Sequence, residues 1–161
     1  MDALERLLAV EEIKRLKARY FRCVDTKDWN GLAEVFAVDG TFVTAGRPDL
    51  PLHGVDEIIG FLRLALEHVV SIHHGHMPEI DITSATTASA VWAMNDVLRW
   101  TQPSELSELR GWGHYAETYA RIDGSWRITS SVLTKIRVDT VPGTGSMAAP
   151  PPDPRPGASP C

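Results

Sequence analysis

Between Leu4 and Val24 the apolar side chains return every three or four residues, at Ala9, Ile13, Leu16, Tyr20 and Val24. That spacing puts them on one face of an α-helix and leaves Glu, Lys and Arg for the outer face. The helix runs into CVDTKDWNG, where Asp28 is placed to cap a second, short helix with Leu32, Val35 and Phe36 facing inward. The segment AVDGTFVTAG is expected to turn on Asp39-Gly40 into a strand, and Arg47–Pro51, with two prolines, reads as a loop. A third helix is expected over Gly54–His68, with Ile58, Leu62 and Leu66 as its buried stripe.

From Ser71 the period changes from helical to alternating. The pattern predicts strands at about 71–83, 87–100, 110–122 and 125–138, the last two joined by the hairpin pair Asp123-Gly124. Thr101–Leu109, TQPSELSEL, is a polar connection placed to form a rim or lid. On the strand 87–100 the spacing of Trp92, Met94, Asn95, Asp96 and Trp100 leaves open which set faces inward. Strands joined by short loops imply antiparallel pairing. The fold class is therefore α+β, a curved sheet wrapped around the long first helix with a concave apolar pocket. Beyond Val141 prolines crowd among Gly, Ala and Ser, so residues 1–140 read as one domain and 141–161 as a disordered or extended tail.

Composition narrows the function classes. A chain of 161 residues that is 43% hydrophobic is long enough for one core without disulfide staples. The net charge is −5 and no Lys/Arg stripe forms, so no nucleic-acid partner is expected. No stretch reaches the roughly 18 apolar residues of a membrane span, and the charged N-terminus lacks the apolar core of a signal peptide. Cys23 and Cys161 have no metal-type spacing. No membrane partner and a cytoplasmic location are the expectation.

The chemistry concentrates in SIHHGHMPEI, Ser71–Ile80. In a strand, His74 and His76 share one face, while His73, Gly75 and Met77 share the other. Two histidines on one face supply only part of a zinc site, and no HExxH helix or cysteine pair completes it, so no metal is expected. A histidine on a pocket wall can take a proton near neutral pH, and works best with a carboxylate that fixes its tautomer. The helix enclosed by the sheet offers Asp25 at its end and the Tyr20 hydroxyl before it. Helix termination by Asp25 and core filling by Tyr20 explain these residues equally well.

The set Tyr20, Asp25, Asp28-Trp29, Gly54, SIHHG at 71–75 and GHYAETYARIDGSWRI at 113–128 resembles the SnoaL-like family of the nuclear-transport-factor-two superfamily, over roughly residues 4–138. Scytalone dehydratase, bile-acid dehydratase and hexachlorocyclohexane dehydrochlorinase belong to that group. The resemblance implies a cone-shaped α+β barrel, association as a homodimer or homotrimer, and an Asp–His dyad carried onto Asp25 and His73, with Tyr20 where bile-acid dehydratases hold a tyrosine. Trp29, Met77 and His114 are the candidate substrate contacts. The dehydrochlorinase has a lysine at the place of Tyr20 and a late arginine where this chain has Ser131 or a neighbour; both departures argue against halide elimination. The resemblance implies a lyase or isomerase without cofactor, acting on a small hydrophobic ring compound, steroid- or polyketide-like. The alternative is a non-catalytic binding or dimerisation module, or the small subunit of a ring-hydroxylating dioxygenase.

Overall fold

A computed structural model of the chain describes residues 1–145. The long helix α1 spans Ala3–Thr26. Asp2 caps it by accepting the Glu5 N–H, and the Glu5 side chain accepts the Asp2 N–H in return, so two otherwise unpaired donors are satisfied. Its predicted stripe is buried, Ile13 at 0% exposure. One residue departs from the expected outer face: Lys17 is also 0% exposed. Position 17 lies four residues after Ile13 and three before Tyr20, on the buried stripe itself. At the other end Lys27 turns the chain out of the helix with φ +60°, and its N–H reaches the Cys23 and Val24 carbonyls.

Helix α2 (Trp29–Ala33) starts on Asp28, whose carboxylate accepts the Gly31 N–H at 2.9 Å, as the sequence predicts. Strand β1 (Phe36–Val43) begins earlier than expected and runs through Asp39-Gly40 instead of turning there. The pair sits in a register irregularity between Phe36 and Thr41, and the Gly40 carbonyl is taken up by the Gly54 N–H at 2.7 Å. The two-residue strand β2 (Leu52–His53) precedes α3 (Val55–Leu66), where Ile58, Leu62 and Leu66 are buried as predicted.

Four long strands follow: β3 (Val69–Ile82), β4 (Thr87–Trp100), β5 (Leu106–Ile122) and β6 (Ser125–Pro142). The sheet order is β2-β1-β6-β5-β4-β3. The four long strands pair antiparallel, but β1 runs parallel to β6. The sheet is therefore mixed, and it curves around α1 without closing, its edges left to β2 and β3. The polar connection expected over 101–109 is shorter, because Leu106–Leu109 already belong to β5.

The first residues of the tail expected from 141 are ordered. Strand β6 continues to Pro142, and the Gly143 and Gly145 N–H groups donate to the Glu105 and Ser104 carbonyls, both at 2.9 Å. The rest of that expectation, 146–161, lies outside the described residues. Among the described residues no helix is long and apolar enough to cross a membrane.

Candidate functional site

The end of α1 and the middle of β3 bring Asp25 and His73 together. Asp25 Oδ1 lies 2.7 Å from His73 Nδ1. The same carboxylate accepts the His73 backbone N–H on Oδ2 at 2.9 Å and the Ser71 hydroxyl on Oδ1 at 3.0 Å. Lys27 Nζ, from the residue that ends the helix two positions after Asp25, donates to Ser71 Oγ at 2.8 Å and closes the chain. Half-burial pushes the Asp25 carboxyl up, but the hydrogen bonds from the His73 ring and backbone and from Ser71 outweigh it. The net result is a carboxyl held below its usual range, so Asp25 is ionised at neutral pH. An ionised Asp25 accepts from Nδ1–H, which leaves Nε2 as the basic nitrogen of a neutral His73.

The His73 ring is clamped from the side. Phe21 stacks on it with ring centroids 6.5 Å apart and planes 13° apart. Phe21 in turn needs the absence of a side chain at position 75: a Cβ there would lie 2.6 Å from Phe21 Cε2. Gly75 thus lets α1 approach the sheet beside the histidine.

His73 lines a cavity of about 200 Å³. Leu62 and Leu66 of α3, Leu98 and Leu109 of the sheet, and Tyr20 supply its apolar walls. Tyr20 is 2% exposed. Burial, reinforced by Glu117, raises its phenol well above the ordinary value, so the group keeps its proton and acts as a donor. Tyr115 lines the same cavity, and burial likewise holds it protonated.

Three candidate contacts fall elsewhere. Met77 is 95% exposed with φ +23°. It occupies a β-bulge between His76 and Glu79, next to Pro78, which has no N–H for the ladder. The bulge resets the alternation, so Met77 leaves the inner face that His73 and Gly75 share. His114 points to the outer face of the sheet, because Gly111, Gly113, Tyr115, Glu117 and Tyr119 hold the inner parity of β5. Trp29 packs half-buried against the core and does not line the cavity. His74 and His76 stack on each other on the outer face, and His76 Nε2 lies 2.7 Å from Asn95 Oδ1. Among the described residues no group of three or more His, Cys, Asp or Glu side chains is placed to hold a metal ion.

The structure adds two cavity residues that spacing left unassigned. On β4 the even positions face inward, Trp92, Met94 and Asp96 all being buried. Asp96 pairs with Lys135 Nζ from β6, and both line the cavity with His73. Asp96 Oδ1 has no hydrogen-bond partner among the described residues. The inner parity of β4 was readable from Ala88, Ala90, Trp92 and Met94. Lys135 was not readable, because a register shift near Thr118/Tyr119 offsets the alternation of β6 before it arrives.

A curved α+β cone around one long helix, here with a part-buried histidine–carboxylate pair at the edge of an apolar cavity, is the nuclear-transport-factor-two type of fold. The chain belongs to the SnoaL-like domain family, whose profile matches residues 5–132. Solved structures with the same fold include a candidate scytalone dehydratase from Novosphingobium aromaticivorans, 21% identical, with a TM-score of 0.79 over 91% of this chain and 98% of that one. A hexachlorocyclohexane dehydrochlorinase, LinA-type3, from Novosphingobium barchaimii is 17% identical, with a TM-score of 0.75 over 90% and 98% of the two chains. Aln2 from a Streptomyces species is 21% identical, with a TM-score of 0.67 over 79% and 90%.

Proposed function

We propose that the protein is a cofactor-independent lyase or isomerase that removes a carbon-bound proton from a small hydrophobic ring compound. The observation that carries this reading is the 2.7 Å contact of Asp25 with His73 Nδ1 on the wall of an apolar cavity. Nε2 of His73 takes the proton, and Asp25 stabilises the imidazolium that forms. Tyr20 donates to the oxygen on which negative charge develops. Lys135, held by Asp96, adds a cation on the same wall. Such a cation suits a departing halide as well as a departing oxygen, so the missing late arginine does not argue against halide elimination. The dehydratase and dehydrochlorinase named among the fold relatives fit the same reaction class, elimination started by proton removal.

The test uses 5-nitrobenzisoxazole, a fused-ring compound small enough for the cavity. A base removes its one ring C–H proton beside nitrogen, the N–O bond breaks, and a nitrile and a coloured phenolate form. Wild-type protein is expected to accelerate this above the His73→Ala variant by roughly 10²–10⁴-fold. Equal rates in the two proteins, with the probe bound in both, would turn the reading toward a non-catalytic binding module. Mass spectrometry of compounds that co-purify with the protein would identify the natural ligand class.

A further inference from the structure

Behind the cavity, on the far side of its aromatic wall, lies a buried charge pair that the reaction above does not use. Lys17 Nζ and Glu117 Oε1 are 2.6 Å apart, and both side chains are 0% exposed. Glu117 is fully supplied with donors: Lys17 and Ser131 on Oε1, at 2.6 and 2.9 Å, and the Tyr119 hydroxyl on Oε2. Tyr119 is itself fixed by the Trp92 indole N–H at 2.9 Å. Among the described residues Lys17 has only that one hydrogen bond, and its remaining N–H groups meet aromatic faces. Nζ lies 3.6 Å from the Tyr115 ring centroid, 4.2 Å from Tyr20 and 4.8 Å from Phe21. These are three rings of the site: Tyr20 and Tyr115 line the cavity, and Phe21 stacks on His73.

Burying an ion pair removes two charges from water, and apolar or neutral groups of the same shape usually serve stability as well or better. Burial indeed pulls the Lys17 ammonium below its ordinary pKa, with Glu117 pulling the other way. The arrangement therefore has a cost that packing alone does not explain. An ammonium on a ring face draws on the π electrons. On a phenol this opposes the Glu117 carboxylate, whose charge raises the Tyr20 and Tyr115 phenols, and so keeps the O–H a better hydrogen-bond donor than it would be beside Glu117 alone; it also fixes where the ring sits.

We infer that Lys17, anchored by Glu117, is a positioning residue that holds Tyr20 and Tyr115 and strengthens their hydroxyls as donors toward an anionic oxygen in the cavity. The inference rests on the donor role given to Tyr20 above. It also narrows the substrate class, to ring compounds whose reaction puts negative charge on an oxygen at the tyrosine wall.

The test compares wild type with the double variant Lys17→Met/Glu117→Gln. Methionine matches the lysine stem, and the glutamine amide can accept from Tyr119 while donating to Ser131, so Tyr119 and Ser131 each keep a partner, with the Ser131 hydroxyl now accepting instead of donating. The double variant is expected to melt at the wild-type temperature or above it. Its kcat on 5-nitrobenzisoxazole, which ends as a phenolate, is expected to fall roughly tenfold with KM unchanged. A second readout needs no turnover: 4-nitrophenol bound to wild type should favour the yellow phenolate over the phenol roughly tenfold more than when bound to the double variant. A lower melting temperature with kcat and probe ionisation unchanged would make the pair a structural element only and overturn the inference. So would failure of wild type to bind 4-nitrophenol as phenolate. If His73→Ala keeps full turnover while the two probe readouts behave as expected, the base assignment fails and the positioning role stands.

Discussion

Replacing Asp25 with asparagine tests the site at its most constrained atom. The two carboxylate oxygens do different jobs. Oδ2 accepts the His73 backbone N–H, a donor that cannot reverse, while Oδ1 accepts from the imidazole Nδ1 and the Ser71 hydroxyl, which can both change role. An asparagine must therefore put its carbonyl at the Oδ2 place and its NH2 group at the Oδ1 place. The opposite orientation sets two donors face to face at the backbone, at a cost of about 1–3 kcal/mol. With NH2 against Nδ1, the ring must accept there and carry its proton on Nε2. The nitrogen that faces the cavity is then no longer a base. The preference for the inactive tautomer is of the order of tenfold to a hundredfold from the donor clash alone, and loss of the imidazolium's counter-charge adds to it. Turnover of 5-nitrobenzisoxazole is expected to fall by roughly 10²–10⁴-fold with the fold retained. Nitrogen-15 NMR of the imidazole reports the tautomer directly: Nδ1–H in wild type, Nε2–H in the variant. A variant that keeps Nδ1–H and turns over within about twofold of wild type would refute the argument.

Other expectations follow from the same contacts. Gly75→Ala puts a methyl 2.6 Å from Phe21 Cε2, so it should destabilise by about 1–3 kcal/mol in urea unfolding and slow the probe reaction by loosening the ring stacked on His73. Met77→Ser and His114→Ala should leave probe turnover near wild type, since both side chains lie off the cavity; a large loss in either would show that the bulge or the β5 parity is misplaced. Because the folded Asp25 pKa is below its unfolded value, near 3.9, its contribution to stability is present above about pH 4 and lost as pH falls through the folded pKa. Asp25→Asn should therefore flatten the acid side of a melting-temperature profile, and an unchanged slope there would contradict the pairing. Trp112, Ile136 and Val138 leave apolar surface exposed on β5 and β6. A second or third copy of the chain is proposed to cover it, which light scattering at micromolar protein checks as a multiple of the 17.7 kDa chain mass.

The sequence by itself settled what local periodicity can settle. The stripe from Ala9 to Val24 gave α1, Asp28 gave the start of α2, and alternation after Ser71 gave β3 to β6 with their antiparallel pairing. The spacing of Tyr20, Asp25 and His73, read through the family resemblance, singled out the residues that the structure then places on one cavity or in contact with it. What failed was parity and partnership over distance. A side chain's face in a strand follows from counting by two, and one bulge undoes the count: Met77 left the inner face at Pro78, and Lys135 joined it after the register shift in β6. The parallel pairing of β1 with β6 depends on the chain returning through α3 and then β3 to β5 to lay its last strand beside its first, which periodicity does not record. Lys17 looks like any solvated helical lysine until Glu117, 100 residues away, arrives beside it. A charge is buried only where its counter-charge and donors converge, and that convergence is a property of the folded sheet.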